Sequence, residues 1–186
     1  MAEESSFLNP LKVARAAGIH EGMQVADFGA GSGFFTRAAL RLVGQGGVVW
    51  AVDIHRDILP HIKSVALAEG LTNVEVVYGD VEVAGGSNLP AEYFDTVIVA
   101  NLLFAAEHKR ELAAEAYRVL KQGGRALLVD WAGSFGGLGP HPGHVVSAAQ
   151  AQKLFESQGF ASPTQVYAGE YHWGLLFRKT RQGRAQ

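Results

Sequence analysis

The feature that most constrains this chain is a glycine-dense turn between an apolar run and an amphipathic segment, VADFGAGSGFFT at residues 25–36. Gly29, Gly31 and Gly33 permit positive φ angles and omit the Cβ atoms that would keep a ligand away from the backbone. The helix that follows starts with N–H groups lacking partners inside the helix. Strand, turn and helix together predict a nucleotide-type binding site at the carboxyl edge of a parallel sheet, with an ordinary tight turn as the alternative.

The spacing of the glycines distinguishes between kinds of nucleotide site. A dinucleotide fingerprint needs a small third residue where this chain has Phe34, and a phosphate-binding loop needs a lysine that the turn lacks. Asp27 would repel a pyrophosphate but suits a ligand with a cationic amine or sulfonium. The stretch closely resembles motif I of the class I S-adenosylmethionine-dependent methyltransferases. A nicotinamide-dependent oxidoreductase stays open on fold alone, with Phe34 as the feature against it.

Strand and helix patterns alternate along the chain. Apolar runs and amphipathic segments predict strands at 23–28, 48–53, 74–78, 94–101 and 126–130, and helices at 34–43, 58–69, 109–120 and 146–157. The alternation predicts an α/β, doubly wound sheet. Residues 165–168 and 173–178 are spaced like an antiparallel closing pair. The resemblance covers about residues 20–178 and implies a Rossmann-like sheet of seven strands, mostly parallel with an antiparallel last strand.

The 186 residues predict one methyltransferase domain. Residues 1–22 form a short N-terminal lead-in, in which residues 2–6 are expected to fray and Asn9-Pro10 opens a helix over 12–17. Gly44–Gly47 ends a helix, and residues 121–125 are expected to form a turn into the fifth strand. Residues 131–146 are expected to form a substrate-side loop, and residues 179–186 a basic, solvated tail.

Several polar residues follow the predicted strands where a cofactor would bind. Asp53 lies about twenty residues beyond the glycines, where a carboxylate can accept from ribose hydroxyls or cap the next helix. By resemblance, Ile54 packs on the adenine, Asp80 accepts from its amino group and Val81 lines the ring. Asn101 is expected to be a backbone and cofactor contact, beside Asp27 and the three glycines.

Catalytic residues are less well marked. Asp130 ends the fifth strand, and the glycine- and proline-rich loop after it contains His141 and His144, while His108 and His172 lie in other loops. A histidine could serve as general base because its pKa lies near neutrality, and Asp130 could orient such a base or a substrate, or cap the next helix. Unused surface histidines are the alternative. Two histidines without a carboxylate partner do not define a metal site, so we expect no metal.

Composition narrows the partners. Without cysteine, the chain has no disulfide, thiolate metal site or thiol nucleophile. A net charge of −2 without a long basic run in its body argues against nucleic acid as a partner. No secretory signal and no apolar run of 18 residues or more is visible, so we expect a cytoplasmic protein without a membrane span. Residues 100–104 also lack the Asn/Asp-Pro-Pro-Tyr/Phe signature of enzymes that methylate adenine or glutamine.

The resemblance therefore implies methyl transfer from S-adenosylmethionine to a small-molecule acceptor by direct displacement, most like the quinone-biosynthesis branch. Because the protein mainly aligns two reactants, no dedicated catalytic residue is required. The alternative is a non-catalytic S-adenosylmethionine-binding scaffold or sensor, against which the retained glycines and acids argue. The sequence identifies neither the acceptor and its nucleophilic atom nor the oligomeric state.

Overall fold

A seven-stranded sheet organises residues 7–180, the part of the chain that this computed structural model describes. The strands are β1 (Gln24–Phe28), β2 (Val48–Asp53), β3 (Val74–Tyr78), β4 (Phe94–Ala100), β5 (Leu120–Trp131), β6 (Thr164–Gln165) and β7 (His172–Arg178). Their order is β3-β2-β1-β4-β5-β7-β6, with β1 to β5 parallel, β7 antiparallel to β5 and β6 antiparallel to β7. The predicted α/β, doubly wound sheet with an antiparallel last strand is confirmed.

Helices cover both faces of this sheet. They are α1 (Pro10–Ala16), α2 (Phe34–Val43), α3 (Leu59–Ala68), α4 (Lys109–Val119) and α5 (Ala148–Glu156). Buried residues of α1, α2 and α3 pack on one face, which we call the α1 face, and those of α4 and α5 pack on the other. The strands after β1 are added on one side of it as far as β3, and β4 and those after it are added on the other side, so the strand order reverses between β1 and β4. Open α/β sheets bind ligands at such a switch point.

Two helix starts follow local sequence chemistry. The Asn9 side chain accepts from the Lys12 N–H at 3.0 Å, and Pro10 occupies the first turn of α1. Ser147 and Gln150 form a capping box at the start of α5. None of the helices within residues 7–180 is long and apolar enough to cross a bilayer.

The structure corrects two predictions near the carboxyl end. Residues 121–125, expected to form a turn, belong to β5, and the Gly123 and Gly124 backbones bond to that of Lys179. Lys179 was expected in a solvated tail but is buried. Its Nζ donates to the Leu120 carbonyl and lies 4.5 Å from the Tyr117 ring centre, which compensates for the lost contact with water. The predictions for residues 2–6 and 181–186 lie outside the described residues.

Candidate functional site

A cavity of about 500 Å³ opens at the switch point between β1 and β4. Because paired residues of neighbouring strands point the same way, the register places Asp27 and Ala100 on the α1 face. The cavity is lined by Leu8, Pro10, Asp27, Gly29, Ala30, Gly31, Ser32, Phe34, Phe35, Ala100 and Asn101. The sequence pointed to the turn and both polar residues, but not to Leu8, which the fold brings from the lead-in.

The turn after β1 needs its glycines. Gly29 and Gly33 have φ angles of +65° and +74°, and a Cβ at Gly29 would lie 2.9 Å from the Leu102 side chain. The Val52 carbonyl accepts from the N–H groups of Gly29 and Ala30 at 2.9 and 3.1 Å, which ties the turn to β2. The turn therefore keeps an exposed backbone at the cavity wall.

Asp27 is the buried acid of this wall. It is 2% exposed, and its Oδ2 accepts from the Thr36 hydroxyl at 2.6 Å. Burial raises the pKa of Asp27 to about 7, partly offset by hydrogen bonds from Thr36. A buried carboxyl with this pKa becomes a carboxylate more readily beside a cation, so the position suits a cationic ligand group.

Asp53 ends β2 next to the turn. Its Oδ2 accepts from the Gly31 N–H at 3.0 Å, and its Oδ1 accepts from the His55 N–H at 2.9 Å. These bonds hold a buried carboxylate beside the cavity turn, and its binding of ribose stays a prediction. Ile54, the next residue, is 50% exposed, so an adenine ring can reach its side chain.

Asp80 and Val81 follow β3 at the same edge of the sheet. Register pairs Asp53 with Tyr78, so Asp80 lies just beyond the level of the ribose candidate. The Asp80 Oδ1 accepts from the Glu82 N–H at 2.9 Å, and Val81 is buried. Neither residue lines the cavity itself; they lie two strands from Asp27, beyond Asp53.

Asn101 provides a test of whether this site fits the cofactor that the resemblance implies. Its φ of +52° is rare for a residue with a side chain, and its N–H donates to the Val129 carbonyl at 2.8 Å. Its buried Oδ1 has no partner among the described residues, although the residue lines the cavity. A ligand amine would satisfy this acceptor, so the donor and acceptor set fits S-adenosylmethionine.

The three candidate histidines do not line this cavity. His108, His141 and His144 are exposed, and His141 Nδ1 accepts from the Gly143 N–H at 3.2 Å. His144 instead lines a second cavity of about 560 Å³ on the α4 and α5 face. Within residues 7–180, no three histidine, aspartate or glutamate side chains are grouped to hold a metal.

Asp130 is buried at the end of β5 and serves the backbone. It accepts from the Trp131 N–H at 2.8 Å and the Phe104 N–H at 3.3 Å. Burial raises the pKa of Asp130 to about 6, and the backbone hydrogen bonds lower it again in part. Asp130 was a catalytic candidate, and the contacts that it makes hold the backbone of the segment after Asn101 in place.

His172, which the sequence placed in a loop, is the first residue of β7. It pairs with Trp131 across β5 and β7, and their ring centres are 4.2 Å apart. Both ring nitrogens are buried without partners among the described residues, and burial lowers the pKa of His172. The register places it on the α1 face with Ala100. The available signal was its position directly before the predicted strand 173–178.

Comparison with known proteins agrees with this geometry. A family model described as a methyltransferase domain matches residues 25–124. The ubiquinone/menaquinone biosynthesis C-methyltransferase UbiE of Stutzerimonas stutzeri is 34% identical over 116 residues, which are 62% of this chain and 44% of that protein. UbiE of Pseudomonas paraeruginosa is 35% identical over the same length. The chain thus spans less than half the length of these curated relatives.

Among solved structures, a SAM dependent methyltransferase from Aquifex aeolicus superposes with a TM-score of 0.84. The two are 26% identical, and the match covers 93% of this chain and 90% of that one. The chain therefore belongs to the methyltransferase-domain family, a family of S-adenosylmethionine-dependent enzymes.

Proposed function

We propose that this protein transfers a methyl group from S-adenosylmethionine to a small-molecule acceptor by direct displacement. The observation that carries the proposal is the cavity at the switch point, where the turn glycines, Asp27 and the unpartnered Asn101 Oδ1 meet. Bound S-adenosylmethionine supplies a methyl group activated by a sulfonium, so the protein's own task is to align two reactants.

In this proposal, different residues of the site bind the ribose, the adenine and the amino-acid end of S-adenosylmethionine. Asp53 accepts from the ribose hydroxyls, while Ile54, Asp80 and Val81 contact the adenine at the ends of β2 and β3. The turn backbone and Asn101 hold the amino-acid end, where Asn101 Oδ1 accepts from the ammonium. Asp27 provides negative charge for the cationic groups once its proton is lost. What supports this division is the order of the strands along one sheet edge.

The acceptor is proposed from the cavity walls, because the family match ends at residue 124, before the substrate-side loop. Leu8, Pro10, Phe34, Phe35 and Ala100 make most of the wall apolar, and no lysine or arginine of residues 7–180 lines it. These walls suit an uncharged ring compound, in agreement with the quinone-pathway names of the relatives, rather than an anionic acceptor.

His172 supports an acceptor position beyond Asn101. It lies on the same face as Ala100, two strands away from β4, which is about 10 Å. Because burial lowers the pKa of His172, its imidazole stays neutral and keeps one ring nitrogen able to accept a hydrogen bond from an acceptor hydroxyl. We therefore propose that the acceptor occupies the end of the cavity at Ala100 and Asn101 and extends from there toward the Trp131–His172 pair.

The first experiment is calorimetric titration of the protein with S-adenosylmethionine, S-adenosylhomocysteine and NAD in parallel. Binding of both adenosyl ligands without NAD supports the proposal, whereas a folded protein that binds neither overturns it. Formation of S-adenosylhomocysteine in the presence of naphthoquinol or phenol acceptors then separates an enzyme from a non-catalytic scaffold.

A variant tests the ribose assignment directly. Asp53→Ala should weaken S-adenosylmethionine binding by about 1–3 kcal/mol, because ribose hydroxyls lose their acceptor. Asp57→Ala is the matched control, since that acid is exposed in the same segment. Unchanged affinity of Asp53→Ala by calorimetry would remove Asp53 from the proposed site.

A further inference from the structure

The loop that carries Asp80, residues 79–89, is folded back on itself. The Asp80 N–H donates to the Gly86 carbonyl at 2.8 Å, and the Gly86 N–H donates to the Val83 carbonyl at 2.9 Å. Gly79 packs so closely on this return that an added Cβ would lie 2.6 Å from the Ser87 carbonyl oxygen. The position of Asp80 therefore depends on where residues 86 and 87 are held.

Glu115 of α4 holds that part of the loop from the other side. Its Oε2 accepts from the Gly85 N–H at 2.9 Å, and its Oε1 accepts from the Ser87 N–H at 3.4 Å and from the Ser87 hydroxyl. Glu115 is only 1% exposed. The buried Glu115 carboxylate thus accepts hydrogen bonds from two residues of one loop, Gly85 and Ser87.

Arg118, one turn further along α4, completes the cluster. It donates to both Glu115 oxygens at 2.7 and 2.8 Å and to the Leu89 carbonyl at 2.8 Å. Burial alone would raise the pKa of Glu115, but hydrogen bonds from Arg118, Ser87 and Gly85 outweigh it and lower that pKa. Glu115 is therefore ionised, and its removal leaves Arg118 and the loop N–H groups without their partner.

The loop in turn holds the start of α4. Glu82 Oε2 accepts from the N–H groups of Glu107 and His108 at 2.7 and 2.6 Å. His108 is the N-cap residue of α4 but supplies no capping bond from its own side chain. Glu82 instead binds the two residues that lead into the helix, so the loop and the start of α4 hold each other at a second place.

Packing alone does not explain the acid. The residues of α4 that bury apolar surface against the sheet are Leu112, Ala113, Ala116 and Val119. A buried ion pair adds little net stability compared with apolar packing, but it can select one conformation. Here the selected conformation is that of the loop that carries the proposed adenine contacts.

We propose that Glu115 is a positioning residue for the cofactor, which acts through Gly85 and Ser87 to hold Asp80 and Val81 in place for the adenine. It makes no contact with the cofactor itself. This inference rests on the proposed binding of S-adenosylmethionine.

A double-mutant cycle tests it, with S-adenosylhomocysteine as the probe in calorimetry. Glu115→Gln and Asp80→Asn should each weaken binding about tenfold, and the double variant should bind no more than about twofold more weakly than either single one. Glu111→Gln, at an exposed position one turn earlier in α4, should leave the affinity unchanged. Additive losses in the double variant would overturn the proposal.

Loss of fold is separated by a second variant and a second measurement. Ser87→Ala removes one hydroxyl of the cluster and should weaken binding in the same direction as Glu115→Gln, but less. Titrations run at 15 °C, with thermal unfolding recorded for every variant, show whether each is folded. A folded Glu115→Gln protein with wild-type affinity overturns the Glu115 role alone, whereas a wild-type protein that binds no adenosyl ligand overturns the proposed function.

Discussion

The proposed cofactor side and the proposed acceptor side of this sheet edge are built by different means. The cofactor side consists of the turn 29–33, Asp53 and the loop 79–89, and is fixed by glycine geometry and contacts among consecutive strand ends. The acceptor side consists of the loop 131–144 and His172, and is placed by ring contacts between distant segments. Tyr171, for example, packs on Phe7 and Phe135 with ring centres 5.3 and 5.0 Å apart.

This difference explains which part of the chain the family model matches. The family model matches residues 25–124, which include the whole cofactor side and none of the loop 131–144. A cofactor common to a family demands one backbone geometry, whereas each acceptor demands its own walls. The cofactor can therefore be assigned with the family, while the acceptor must be found by experiment.

The largest expected effect comes from comparing two glycines, one on each side. Gly29→Ala should reduce S-adenosylmethionine affinity by at least about 100-fold, and Gly137→Ala should change it less than about twofold. Both glycines have a positive φ, so an alanine at either position costs a backbone strain of about 1–2 kcal/mol. Only the Gly29 Cβ meets a neighbour, Leu102, whereas nothing lies within 4 Å at Gly137.

Calorimetry on both folded variants checks this prediction. Thermal unfolding of each variant provides the control for strain, because it reports the backbone cost apart from the ligand. Equal losses of affinity for Gly29→Ala and Gly137→Ala would contradict the division into a cofactor side and an acceptor side.

The same division shows what could be predicted from the sequence. The strand and helix bounds around the turn followed from local patterns, as did the start of α1 at Asn9-Pro10. The burial of Lys179 and the role of Glu115 could not be predicted, since each depends on partners far along the chain. His172 was placed in a loop for the same reason, because only the pairing of β5 with β7 brings it to Trp131.

A smaller effect is expected for Asp27→Asn, which should stabilise the protein at pH 8 and weaken its binding of S-adenosylmethionine about tenfold. The Asp27 carboxyl keeps its proton up to about pH 7 when folded but loses it near pH 3.8 when unfolded. The folded state therefore binds more protons across this window, and raising the pH lowers the free energy of unfolding, on the order of a few kcal/mol.

Denaturant unfolding at pH 4 and pH 8 measures this slope, which should be smaller in Asp27→Asn. The affinity of the wild-type protein should also rise as the pH increases through 7, because the carboxylate attracts a cationic ligand. A variant with the same pH slope as the wild type would show that Asp27 does not carry the buried proton.

The smallest effect is expected on the acceptor side, where His172 gives a pH dependence of opposite sign. Burial lowers the pKa of His172 below the ordinary histidine value near 6.5. As the pH falls through that value, the unfolded chain therefore binds more protons than the folded chain, and the free energy of unfolding decreases. The wild-type protein should therefore lose stability between pH 7.5 and 5.5 relative to His172→Gln, as measured by denaturant unfolding. His20→Gln is the matched histidine control, since His20 is exposed and lies at the opposite edge of the sheet. Because His172 is far from the turn, His172→Gln should also leave S-adenosylmethionine affinity within about twofold of wild type. A large loss of cofactor affinity in that variant would mean that the two sides are not separate, and that the Trp131–His172 pair belongs to the cofactor site.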